Sequence, residues 1–184
     1  SEDETLNIVK HFAKDPSLEE SNPNKYANIK ILKIDDYTPG KSINLGIKNS
    51  ENYYCMVLSA HCVIKDFKID LLDKLLSFHA IFGKQIPIWN GKKITKRYIW
   101  GHFGDSEVIN MYSDSEKRYF FHNAASLFKQ DTLIENPFNE NLLGKEDRYW
   151  AAKIINNNFK ILYDPSFIVD HHYTINGNTW KGLG

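Results

Sequence analysis

Tyr53-Tyr54-Cys55-Met56-Val57-Leu58 is an unbroken apolar run of strand length that stops abruptly at Ser59-Ala60-His61-Cys62. Such a run, without polar alternation, predicts a strand in the middle of a sheet. Residues just past its carboxyl end lie where open α/β sheets hold their ligands, which makes His61 a candidate functional side chain. A satisfied, partly buried histidine is the plain alternative.

Working outward, Leu71, Leu72, Leu75 and Leu76 mark one face of a helix capped near Asp66 or Asp70, and Ile81–Ile88 reads as a strand. Trp89–Asp114 is polar and weakly patterned, a long excursion of the kind that often carries function in a compact domain. Tyr119–Phe128 predicts a strand, Gln130–Ile134 a helical turn and Lys145–Asn156 a helix. Phe159–Tyr163 and Ile168–Tyr173 predict late strands around Asp164-Pro165. Upstream, Ser1 and Glu4 form a capping box before Leu6, Val9, Phe12 and Ala13 at helical spacing. Asp15–Lys25 reads as a loop, Asn28–Ile34 as a strand, and Pro39-Gly40 as a turn before a short helix bearing Ile43 and Ile47. The alternation predicts one α/β domain over residues 1–184, with a mixed sheet flanked by helices.

Composition narrows the function. With 23 basic and 23 acidic side chains the formal net charge is zero, so no basic face is offered to nucleic acid or to a membrane surface. No apolar run approaches the roughly 18 residues of a membrane span. Cys55 and Cys62 lie on one strand and its exit, which holds them too far apart for a disulfide. Reduced thiols in the cytoplasm are expected.

Asp147 is the sharpest single signal. It occupies the first turn of its helix on the same face as Trp150, Ala151 and Ile154, so its carboxylate should project toward the sheet edge or a cleft. A carboxylate partly removed from water can act as a general base; a helix-start carboxylate favoured by the macrodipole is the alternative. His171 and His172 end another strand, and only one of them can point to a given side. His61 with one of them, and Cys62 and Asp170 near them in the pattern, could hold a metal, although the spacing is not that of a structural zinc site. Gly83-Lys84-Gln85 lies within a strand, where glycine often marks close approach of a ligand or backbone. Lys84 could meet a phosphate. Asn123 precedes the small pair Ala124-Ala125, which leaves room for a sugar ring or for a packed helix.

The order of these segments resembles that of family 2 glycosyltransferases. Ser1–Thr5 (SEDET) is similar to the second half of that family's acidic, serine-containing motif, and Pro39–Ile47 (PGKSINLGI) to its PG-x-x-x-N-x-G-I segment. Tyr53–Cys62 occupies the place of the strand that ends in Asp-x-Asp. Phe82–Pro87 (FGKQIP) resembles the Gly-Arg-Gln-x-Pro segment of a rhamnosyltransferase-like branch, and Asn123–Phe128 the stretch before the base-bearing helix. Gly144–Ala151 (GKEDRYWA) is similar to the Glu-Asp motif, and Tyr163–His172 (YDPSFIVDHH) to the closing segment.

The resemblance implies a GT-A-type, Rossmann-like domain whose first strand would precede Ser1. It implies inverting transfer of a sugar from a nucleotide-diphosphate donor to a hydroxyl of a saccharide or glycolipid acceptor, as in surface polysaccharide synthesis. Asp147 would be the base. His61 and His172 would hold Mn²⁺ or Mg²⁺ under the diphosphate, while Lys84, Gln85, Trp100, Asn123 and Glu146 would bind substrate. Two features depart from the family pattern. Both Asp-x-Asp carboxylates are replaced, by Ser59 and His61, and imidazole suits Mn²⁺ or Zn²⁺ better than Mg²⁺. The family's base-binding first strand would precede Ser1, and a central strand edge left uncovered would favour a homo-oligomer. The alternatives are a non-catalytic saccharide- or partner-binding module derived from such a transferase and, more remotely, a zinc hydrolase using His61, Cys62 and His172.

Overall fold

A computed structural model of the chain describes residues 4–14, 30–93 and 103–173. The capping serine Ser1, the loop Asp15–Lys25, the start of Asn28–Ile34, and Trp100 lie outside the described residues. The chain divides into two compact units, Ser1–Asp35 and Asp36–Gly184. In the first, helix α1 (Thr5–Lys14) forms as its apolar spacing predicts, and residues 30–34 join no strand ladder.

The second unit is built on a seven-stranded mixed sheet. Its elements, in chain order, are α2 (Pro39–Lys48), β1 (Tyr54–Leu58), β2 (Cys62–Asp66), α3 (Leu71–Lys74), β3 (Ala80–Trp89), β4 (Lys92–Lys93) and β5 (Val108–Ile109). The hairpin β6 (Tyr112–Ser113) and β7 (Arg118–Tyr119) follows, then β8 (Ala125–Lys129), α4 (Gln130–Glu135), α5 (Glu146–Asn156) and β9 (Ile161–Tyr173). The sheet order is β1-β8-β3-β9-β2, with β4 beside β3 and β5 beside β9. Among the described residues only β3 and β9 run parallel; β1 and β3 both pair with β8 antiparallel.

Successive strand residues point to opposite faces, and that alternation builds two cores. Phe82, Phe128 and Tyr163 face Trp150, Ile154 and Phe138 in one, under α5 and the loop before it. Ile81, Leu127 and Leu162 face Leu71, Leu75 and Phe167 in the other. This is why the central strands read as continuous apolar runs. Trp150 anchors α5: its indole Nε1 donates to Asn136 O at 2.7 Å, and its rings pack on Phe121, Phe128 and Phe138. At the other helix, Thr38 Oγ1 caps α2 by accepting from Lys41 N, and Pro39 takes the first turn, where its missing N–H costs nothing.

Several expectations are corrected. Tyr54–Leu58 lies at the edge of the sheet among the described residues, with Met56 and Leu58 exposed. An apolar run reports side-chain character and carries no information on how many strands flank it. The late segment is one strand, not two. Residues 165–167 bulge from it, because Gly83 pairs with Asp164 while the next residue, Lys84, pairs with Ile168. Gly83 accommodates that bulge: a Cβ there would lie 2.3 Å from Phe167 O. The helix read around the four leucines is a single turn.

Candidate functional site

At the end of the sheet where β1 breaks off, a cleft of about 440 Å³ opens within the second unit. It has the size of a small-ligand site. One wall comes from the turn after β1 (Ser59 and His61) and from the later halves of β3 (Gln85) and β9 (His171 and Tyr173). The other comes from the segment before β8 (Phe121, His122, Asn123) and the first turn of α5 (Glu146, Asp147, Arg148).

Asp147 reaches this cleft because α5 is fixed by Trp150, one turn further along. Lys145, at φ +64, turns the chain so that the acidic pair opens the helix. Burial, with the neighbouring Glu146 carboxylate adding to it, pushes the Asp147 carboxyl up to about 6. Asp147 Oδ1 accepts from Arg148 N at 2.7 Å, and that bond and the charges of Arg148 and Arg118 oppose the rise. Glu146 is buried and accepts from Asn123 Nδ2 at 3.4 Å. Arg118 is held by Glu116 and lies 4.4 Å over the Phe120 ring.

Burial lowers the imidazoles around the cleft. His171 is lowered to about 3 by burial and by the neighbouring histidines His61, His122 and His172. His61 is also lowered, by burial and then by His172. The two rings stack with centroids 4.7 Å apart. His171 Nδ1 donates to Gln85 Oε1. Buried His122, lowered to about 4 by its burial, bonds Gly83 O through Nε2 at 2.8 Å; its Nδ1 has no partner among the described residues. Burial pushes the Cys62 thiol up to about 12. One ligand atom from each of His61, Cys62 and His171 falls within 4.8 Å of the others, a donor set that fits a divalent cation.

The structure thus brings His61, Gln85, Asn123, Glu146 and Asp147 to one cleft. It places His171, not His172, beside His61. Neighbours on a strand alternate sides, and it is the backbone N–H of His172 that donates to His61 O, at 2.9 Å. Lys84 is likewise turned away from Gln85; it pairs with Asp105 and does not line the cleft. His122 and Arg118 escaped the sequence reading. The signal for His122 was its place next to Asn123, but nothing marked Arg118 until the β6–β7 hairpin was known.

No protein-family model and no curated protein matches the chain. Among solved structures, the chain is similar to GalNAc-T7, determined with UDP, GalNAc and Mn²⁺. The TM-score is 0.57 at 13% identity, over 95% of this chain and 37% of that protein. The mixed sheet flanked by helices is therefore that of a GT-A glycosyltransferase fold, and the chain spans 37% of the neighbour's length. Among the described residues no helix is long and apolar enough to cross a membrane.

Proposed function

We propose that this chain is the catalytic part of a cytoplasmic, family 2-like glycosyltransferase that moves a sugar from a nucleotide-diphosphate donor to an acceptor hydroxyl with inversion. The observation that carries the proposal is one cleft that sets the buried Asp147 carboxyl, raised to about 6, across from the stacked imidazoles of His61 and His171. Asp147 accepts the proton of the acceptor hydroxyl as that oxygen bonds to the anomeric carbon. The bond from that carbon to the diphosphate breaks, and its electron pair leaves with the nucleotide. A base near the working pH suits this transfer. Glu146 and Asn123, already bonded to each other, orient sugar hydroxyls. Arg118 and Arg148 bring positive charge to the cleft. A divalent cation held by His61 and His171 would offset the charge of the leaving diphosphate. Saccharide or glycolipid acceptors of surface polysaccharide synthesis fit the resemblance, as does a deoxysugar such as rhamnose on the donor.

Calorimetric titration with nucleoside diphosphates, with a divalent cation present and then chelated, tests the reading. Cation-dependent micromolar binding supports it. Saccharide binding with no nucleotide binding would make the chain a sugar-binding module instead.

A further inference from the structure

The turn after β1 gathers a donor set unlike that of a carboxylate site. Cys62 stands opposite His171 across the β2–β9 ladder, and the His61 ring stacks on His171. The backbone bond from His172 N to His61 O ties the turn to β9. Cys62 is buried behind the cleft, whereas His61 and His171 line it. Gln85, on the adjacent β3, accepts from His171 Nδ1 and so makes Nε2 the ring nitrogen that carries the lone pair. Among the described residues the cluster contains no carboxylate, and so no hard oxygen ligand.

We propose that His61, Cys62 and His171 form a zinc site whose fourth position faces the cleft, with Gln85 positioning His171 within it. The inference rests on the reading above for which cleft is used, and it specifies the ion. Two imidazoles and a thiolate are donors that zinc prefers, while Mn²⁺ and Mg²⁺ favour oxygen. Three protein ligands with one open position is the arrangement of zinc at a reactive site. Bond lengths of about 2.0–2.3 Å put tetrahedral ligand atoms roughly 3.3–3.6 Å apart. The three atoms, now within 4.8 Å, need to close in by at most roughly 1.2–1.5 Å. As the zinc–sulfur bond forms, the Cys62 proton leaves to solvent.

The test is titration of the metal-stripped full chain with Zn²⁺, Mn²⁺ and Co²⁺, with absorption spectra of the cobalt form. We expect one zinc per chain, bound at least about 100-fold more tightly than Mn²⁺. The cobalt form should show a near-ultraviolet thiolate-to-metal charge-transfer band, which Cys62→Ser removes. Gln85→Leu should weaken zinc about 10–100-fold, whereas Gln85→Glu, which keeps an acceptor for His171, should restore it. The unaltered chain decides the matter even if a variant fails to fold: stoichiometric cobalt without the thiolate band, or Mn²⁺ as tight as Zn²⁺, overturns the site. Equal zinc affinity in Gln85→Leu and Gln85→Glu overturns the role of Gln85. The same samples separate the two proposals. Zinc binding without nucleoside diphosphate binding removes the transferase reading and leaves the zinc site. Diphosphate binding that requires Mn²⁺, with no thiolate band, does the reverse.

Discussion

Asp147 should weaken the fold that holds it, and the size of the effect follows from its position. Its carboxyl is raised from 3.8 to about 6, so the folded chain holds this proton more tightly than the unfolded chain does. The sign follows directly: the associated stability is fully present below the unfolded value and is lost as pH rises through about 6. At about 1.4 kcal/mol per unit, ionisation costs roughly 3 kcal/mol at pH 8. Water in the cleft screens the charge, so about 2 kcal/mol is expected, out of a typical total of about 5–15. Asp147→Asn removes the charge, and its Oδ1 can still accept from Arg148 N. Urea unfolding should therefore show the variant more stable by about 2 kcal/mol at pH 8 and within about half a kcal/mol of the parent at pH 4, with unchanged slope. Turnover should fall about 10²–10⁴-fold. A variant less stable than the parent at pH 8, or a gain independent of pH, would refute the burial argument. A stability gain with full activity would refute the assignment of Asp147 as base.

Three further outcomes follow. The kcat/KM of the parent should rise with pH and level off above about 6, and Arg118→Met, which removes a charge that lowers Asp147, should move that midpoint upward in a pH–rate profile. Gly83→Ala should cost about 3 kcal/mol in chemical denaturation or prevent folding, because the new Cβ meets the Phe167 backbone and the bulge must shift. Lys74→Met leaves the Asp164 carboxylate buried without its ammonium. Burial alone would raise Asp164, but Lys74 and Ser166 hold it below its usual range. The loss, about 2 kcal/mol, should be full at neutral pH and shrink as acid protonates Asp164, which a thermal melt at two pH values would show.

The parts of this fold legible in the sequence are those governed by local pattern. The spacing of Asp147, Trp150, Ala151 and Ile154 put a carboxylate and a core anchor on one helical face, and Trp150 does bury beneath α5 while Asp147 lines the cleft. The strand before Ser59 also ended where its apolar run ended. What the sequence hid depends on pairing between distant segments. His171 and His172 are equivalent in a period-two pattern until a register is set, and that register comes from the three residues that bulge beside Gly83. Without the bulge, the residues beyond it would pair in another register, and the side of each histidine would follow. The same offset brings Val169 level with Gln85, and so His171 within reach of its side chain. The glycine read as marking close approach of a ligand or backbone meets backbone: it makes room for Phe167. The resulting bulge sets the register of the strand that brings an imidazole to His61 and Cys62.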